Sequence, residues 1–437
     1  MQLANAQART VRGSDRGESG GRNLTRRKPE QQVRRAGETR QSLLRAGEQV
    51  FSERGYHEAS VSAICQYAGL ANGTFYRHFE NKEEIFAVLV EQLQWAMRER
   101  IERAAGGEGS RQVALTRAYR SVLSYVQDES ALYRVGRSAE SMKMGIHRQF
   151  RANLADALGE ILSAGMRAGE LRPVDPNIAA YALLGIIEFT VMRYVLWEPG
   201  SLDERVLETL DSLILRGFDS GREPTHVPRE ATETPPRLSS NGAGELHGGE
   251  ATRQALLAAA ERLFGQAGFY QTPISGITYV ASVAQGTFYL YFPSKVAVFV
   301  ELVREINRQF RLDEQAALAG FVDRREIERV GFRTFFRFID AHRSAYRILR
   351  EAELVDPETG RWYYERLARG YMRGLQGGMD RGEIRALALE PLAYALLGVG
   401  HSVALWGQSD GAEALITESM VAALLDVLER GVAADPA

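Results

Sequence analysis

Residues 73–79 read GTFYRHF, and residues 286–292 read GTFYLYF. A helix turns about 100° per residue, so Phe75 and Phe79 fall on one stripe, where two rings can anchor the segment to neighbouring helices. Gly73 and Arg77 then lie roughly opposite, free to face a partner. Tyr76 and His78 flank that surface with polar hydrogens suited to phosphate oxygens. A glycine inside a helix costs about 1 kcal/mol relative to alanine, a penalty that makes sense where the backbone approaches DNA or another helix. In the second heptapeptide Leu290 stands in place of Arg77.

Phe75 and Phe288 are 213 positions apart, and the register extends far beyond the heptapeptide. The same offset relates Phe51 to Phe264, Gly55 to Gly268, Tyr133-Arg134 to Tyr346-Arg347, and AYALLG at 180–185 to AYALLG at 393–398. A constant offset over such a span predicts two copies of one domain, residues 39–218 and 252–431. Two stretches lie outside the copies. Residues 1–38 are rich in arginine and poor in apolar side chains, which predicts a basic disordered arm. Residues 219–251 hold Pro224, Pro228, Pro235 and Pro236 among serines and glycines, the composition of a flexible linker.

Within each copy the apolar pattern is helical. Leu43, Leu44, Val50 and Phe51 keep a spacing near 3.6 residues up to Gly55, a C-cap position. Val61, Ile64 and Ala68 then mark a short helix ending at Gly69, and the heptapeptide follows after a tight turn. A longer helix followed by two short ones across a turn is the arrangement of a helix-turn-helix. Asn81 and Glu84 predict a capping box for the next helix, with Lys82 placed at its start beside backbone N–H groups suited to phosphate. In the second copy Thr272 is expected to cap a helix whose first position is Pro273.

The run Gly55-Tyr56, Val61, Ile64, Ala68-Gly69, Gly73-Thr74-Phe75-Tyr76, His78-Phe79 and Lys82-Glu83 resembles the DNA-binding signature of TetR/AcrR-type transcriptional regulators. The second copy resembles it through Gly268-Phe269, Thr272-Pro273-Ile274, Ile277, Ala281, Gly286-Thr287-Phe288-Tyr289, Tyr291-Phe292 and Lys295. Both depart from it at Ala71 and Ala284, where the family usually has a serine ahead of the recognition helix. The resemblance implies an all-α chain: helix-turn-helix heads at 39–85 and 252–298, each followed by a bundle, 86–218 and 299–431, that holds a ligand pocket and dimerises. It places DNA contacts at Ser60, Asn72, Gly73, Thr74, Tyr76, Arg77, His78 and Lys82. The second set is Thr272, Gln285, Gly286, Thr287, Tyr289, Leu290, Tyr291 and Lys295. The second head either touches DNA or serves as a structural mate.

Bundle residues of pocket type are Tyr125, Met142, Met144, Phe150, Met192 and Trp197 in the first copy. Phe335, Phe336, Phe338, Trp362, Tyr363 and Tyr364 are their kind in the second. Helical cores use the same residues, so pocket and packing both stand as readings. The resemblance implies repression of a promoter, double-stranded operator DNA as partner, and release by a small apolar effector such as a lipid or acyl derivative. Helices near 176–196 with 203–217, and 389–406 with 412–430, are expected to pair within one chain as a pseudo-dimer, the alternative being a homodimer with four heads.

Composition agrees with a regulator. The 437 residues carry a net charge of −2 and 45% hydrophobic content, enough for sizeable cores and too little charge for a general nucleic-acid coat. One cysteine, Cys65, excludes an internal disulfide framework and fits a reducing cytoplasm. No secretion signal and no membrane segment are expected. Seven histidines are scattered without metal-ligand spacing, and no Gly-rich phosphate loop occurs. The chain is therefore expected to be neither an enzyme nor cofactor-dependent, with a non-DNA-binding scaffold as the rival reading.

Overall fold

The structure, a computed structural model, describes residues 29–139, 145–218, 248–408 and 417–432. The first copy forms α1 (Pro29–Glu58), α2 (Val61–Ala68), α3 (Asn72–Phe75), α4 (Lys82–Ala105), α5 (Arg111–Asp128), α6 (Ser130–Ser138) and α7 (Gly145–Arg167). It closes with α8 (Pro176–Val191), continued by a π-helical turn (Met192–Trp197), and α9 (Glu204–Phe218). The second forms α10 (Gly249–Ala267), α11 (Ile274–Val280), α12 (Gln285–Tyr291), α13 (Lys295–Leu318), α14 (Arg324–Ala341), α15 (Arg343–Val355), α16 (Pro357–Asp380), α17 (Leu389–Gly407) and α18 (Glu418–Val432). No strand occurs among the described residues, and the fold is all-α in two tandem copies.

Most of the expected arm, 1–28, and of the linker, 219–247, lies outside the described residues. Two boundaries are corrected: residues 29–38, expected to belong to the arm, are the opening turns of α1, and residues 249–251, expected to end the linker, open α10. An exposed Arg34–Glu38 pair at i,i+4, 3.0 Å apart, supports those turns without burial. The helix breaks at Gly55, whose φ of 70° is open to glycine at no steric cost.

Each head is built around rings. Phe51 packs edge-on to Phe86 at 5.2 Å, and Phe264 to Phe299 at 5.7 Å, with Phe75, Phe79, Phe288 and Phe292 buried beside them. Fully burying such a side chain contributes about 1.5–3 kcal/mol, so these rings hold each small head together and tie it to the first helix of its bundle.

The copies meet through their last helices. α8 packs on α17 and α9 on α18. At the first crossing Gly185 lies against Gly398; at the second, a Cβ on Gly217 would sit 2.8 Å from Val427 O and one on Gly431 2.6 Å from Leu213 O. Around this apolar seam, Arg193 reaches Glu390 at 2.9 Å and Arg172 reaches Asp426 at 2.7 Å. The segment Pro176–Trp197 is long and apolar enough to cross a membrane, yet 94% of its apolar window is buried inside the protein, as in a core helix.

Candidate nucleic-acid interface and ligand cavity

In the first head Ser60 caps α2 by accepting from Ala63 N–H at 3.1 Å, and Gly69, with φ of 65°, ends that helix. Ala71 precedes α3 with no side-chain cap, as the departure from the signature implied. Phe75 and Phe79 are 0% and 2% exposed. Asn72, Gly73, Tyr76 and Arg77 are exposed, while Thr74 and His78 are half-buried. The regular helix is shorter than the heptapeptide pattern predicts: after Phe75 the chain continues in tight turns, Arg77 N–H to Thr74 O and His78 N–H to Phe75 O. Phe79 N–H still bonds to Phe75 O, which keeps both rings on one side. Arg77 Nη2 lies 3.4 Å from Thr74 Oγ1 and projects from the exposed side.

In the second head α12 runs as far as Tyr291, with Phe292 as its C-cap. Gln285, Gly286, Tyr289 and Leu290 are exposed, Thr287 and Tyr291 half-buried, and Leu290 retains 80% of its free surface. An isoleucine-sized apolar side chain left in water gains nothing from folding. Two further aromatics, Tyr67 at 60% and Tyr279 at 85% exposure, stand on the helices just before the motif. Tyr67 falls off the stripe of Val61, Ile64 and Ala68, and Tyr279 off that of Ile274, Ile277 and Ala281, a signal that the periodicity carried.

Three expected contacts are corrected. Lys82 Nζ donates to Tyr56 O at 2.7 Å and Ala59 O at 2.9 Å, with its ammonium 4.3 Å from the Tyr56 ring centre. Lys295 repeats this on Phe269 O, Thr272 O and the Phe269 ring. Both lysines tie the turn after the first helix of the head to the start of the bundle, and burial lowers their pKa. Thr272 is 2% exposed and donates to Gly268 O at 2.8 Å, so it neither caps α11, where Pro273 takes the cap position, nor reaches a ligand. The Asn81 cap forms as read, Asn81 accepting from Glu84 N–H at 2.9 Å, but the return bond of a capping box is displaced by one residue, Glu84 accepting from Glu80 N–H and not from Asn81.

The roots of the two heads touch. His57 stacks on Tyr270 with ring centres 3.8 Å apart and planes 14° from parallel.

A cavity of about 200 Å³ opens inside the second bundle. Phe335, Tyr363 and Tyr364 line it, and Phe189 of the first copy contributes to its wall. Phe338 packs instead on Phe310 at 5.0 Å, and Trp362 lies beneath the guanidinium groups of Arg304 and Arg366. Sequence reading missed the polar lining. Glu328 holds Arg324 and accepts from Tyr371, His401 Nδ1 lies 2.7 Å from Tyr346 Oη, and burial followed by the nearby Glu328 raises the pKa of Glu314. Arg311 and Arg366 line the solvent side of the opening.

The first bundle has no matching chemistry at these positions. The counterparts of Glu314, Glu328 and Tyr371 are Ile101, Leu115 and Leu158, each at most 1% exposed, and those of Tyr364 and His401 are Arg151 and Glu188, which form a buried ion pair at 2.6 Å. Of the first-copy candidates, Phe150 and Met192 are core, Tyr125 lies under Arg100 at 3.8 Å, and Met142 and Met144 fall outside the described residues. Among the described residues no group of His, Cys, Asp and Glu could hold a metal ion.

Two helix-turn-helix heads, each joined to a helical bundle, define a tandem DNA-binding regulator. The family description "Bacterial regulatory proteins, tetR family" matches residues 43–89 and 256–302. The uncharacterized HTH-type transcriptional regulator YdgC of Bacillus subtilis (strain 168) is 31% identical over 183 residues, 40% of this chain and 91% of that protein. The fatty acid metabolism regulator protein of the same organism is 27% identical over 180 residues, 39% of this chain and 92% of that protein. The crystal structure of the transcriptional regulator FadR from Bacillus subtilis in complex with stearoyl-CoA aligns with 26% identity and a TM-score of 0.35, covering 39% of this chain and 97% of that one. The chain belongs to the TetR family of transcriptional regulators, with two family modules in tandem.

Proposed function

We propose that the chain is a ligand-responsive repressor in which the two modules act as an intrachain pseudo-dimer on one asymmetric operator. The observation that carries this reading is the meeting of equivalent glycines, Gly185 and Gly398, at the crossing of α8 and α17. Each copy supplies the face that the other needs, so a second chain is not required to complete the pair. The heads, 39–85 and 252–298, then read unlike half-sites, because Arg77 can donate twice to a guanine edge while Leu290 offers only apolar contact, as to a thymine methyl. The basic arm anchors the first half-site. The protein works in the cytoplasm and is not an enzyme.

The effector belongs to the second bundle. A 150 Å³ cavity is about the size that accepts benzene, so about 200 Å³ suits a ring or a short or branched acyl chain, with Arg311 and Arg366 available to an anionic head group. The kinship to a fatty acid metabolism regulator, 27% identical, supports an acyl ligand. A ligand favouring the arrangement in which the heads no longer match successive grooves lowers DNA affinity by its differential binding.

Footprinting on the upstream region, with and without short acyl thioesters, tests this. A protected non-palindromic site that acyl ligands release is the expected result; no salt-sensitive footprint would leave a scaffold. Light scattering of the full chain should give a monomer, and an obligate dimer with like copies crosslinked would replace the intrachain pair by four heads.

A further inference from the structure

Two neighbouring helices of the second bundle carry rows of arginine at the mouth of the cavity. On α13, Arg304, Arg308 and Arg311 recur every three or four residues and so share one face; on α16, Arg366, Arg369 and Arg373 do the same. All six are exposed. Trp362 joins the rows, with the Arg304 and Arg366 guanidinium groups each 5.8 Å from its ring centre. Arg311 and Arg366 also line the opening, so the arginine face is continuous with the apolar space inside. Like charges three or four residues apart weaken a helix. Glu305 relieves Arg308, but Arg369 and Arg373 have no carboxylate partner among the described residues.

The first copy has no such face. At the offset of 213 residues, the α13 row becomes Glu91, Trp95 and Arg98, and the α16 row becomes Asn153, Asp156 and Glu160. Arg98, the one cation kept, pairs with Glu102 at 2.6 Å and lies 3.9 Å from Glu160. Trp362 becomes Gln149, which donates to Asn153 at 2.8 Å. Six positive side chains in one copy thus stand against one positive and three negative ones in the other. A requirement of the shared fold would appear in both copies, whereas this face accompanies the cavity.

We infer that the two arginine rows bind phosphate, and that the effector is an apolar group carried on a di- or polyphosphate. The inference rests on the reading of the cavity as the effector site. A guanidinium presents a planar fork of donors that matches two phosphate oxygens at once. Trp362 holds two of the six forks against its ring before any ligand arrives. Arg373 stands seven residues beyond Arg366, about 10 Å along α16, which is further than one carboxylate at the opening can reach. The apolar end enters the cavity, and the phosphates lie outside along the rows.

Calorimetric titration of the full chain with hexanol, hexyl phosphate and hexyl diphosphate keeps the tail constant and varies the charge. Hexyl diphosphate should bind about ten- to a hundredfold more tightly than hexanol, the factor of one charge-assisted hydrogen bond, and hexyl phosphate should fall between them. The advantage should shrink with added salt. Arg369→Asp combined with Arg373→Glu, the pair that the first copy carries, should remove most of it and leave hexanol binding unchanged. Gly331 lines the cavity and a Cβ there meets nothing within 4 Å, so Gly331→Leu should block hexanol yet leave inorganic tripolyphosphate bound. Hexanol and hexyl diphosphate binding alike, or an advantage that survives the double variant, overturns the phosphate face while the cavity reading stands. Tripolyphosphate binding that the double variant loses, with no hexanol bound, keeps the phosphate face and sinks the cavity reading. Operator binding without ligand that is weaker and less salt-dependent in the double variant gives the rows to DNA and overturns the inference.

Discussion

Gly185 and Gly398 meet backbone to backbone where α8 crosses α17, and a Cβ on either would overlap the carbonyl oxygen of the other. Only glycine lets two helices approach so closely. Gly398→Val should therefore force the crossing apart and cost about 1–3 kcal/mol, as overpacking does. Urea unfolding should show a lower midpoint and, with the copies uncoupled, two transitions instead of one.

Close to that crossing, Arg151 and Glu188 form an ion pair with side chains 7% and 11% exposed, and Arg151 also donates to Ser402 of the other copy. Removing one partner leaves the other charge buried. Glu188→Gln should cost about 3–5 kcal/mol, whereas Arg151→Met combined with Glu188→Leu should come close to neutral. Denaturant titrations of the single and double variants check the order.

Lys82 and Lys295 should behave as packing residues in DNA binding. Lys82→Met should destabilise its head by about 1–3 kcal/mol through lost hydrogen bonds to Tyr56 O and Ala59 O. The slope of operator affinity against salt should stay as in the wild type. A slope reduced by about 1 would return the lysine to a phosphate.

Arg77→Ala should cost about 1–3 kcal/mol in operator affinity and relax preference at one or two base pairs of one half-site. Leu290→Ala should cost less, and only at the other half. A base-by-base scan of the footprinted site with both variants measures this. Equal half-sites, or a loss spread evenly over all sequences, would mean that the arginine holds only phosphate.

The Arg325 guanidinium beside Asp323, helped by the backbone N–H groups it caps, pulls the Asp323 carboxyl down to about 2 against an ordinary 3.8. A lowered acid pKa in the folded state gives stability that is complete above about pH 4 and lost as pH falls toward about 2. Asp323→Asn, which still caps α14, should flatten the fall in urea midpoint across that window. An unchanged acid slope would show that other carboxylates govern it.

Much of this was legible in the chain itself. A 213-residue offset repeated from Phe51 to AYALLG points to duplication, and phenylalanines four apart share one side of a helical turn, so two copies, all-α heads and the Phe75, Phe79, Phe288 and Phe292 anchors were legible from spacing, although the regular helix stops at Phe75 in the first head. The Asn81 cap on Glu84 N–H was legible too, because its partners are three residues apart. Lys82, Lys295 and Thr272 were not. Lys82 and Lys295 bond to carbonyls 23 to 26 residues away, and a pattern of polar and apolar positions reports which side of a helix faces water but not which distant backbone group a side chain will find. The cavity likewise depends on small volume differences, Gly331 for Ala118 and Gly370 for Ala157, summed over several packed helices. Periodicity places residues on faces; whether facing surfaces leave a space or close it is decided when the helices pack.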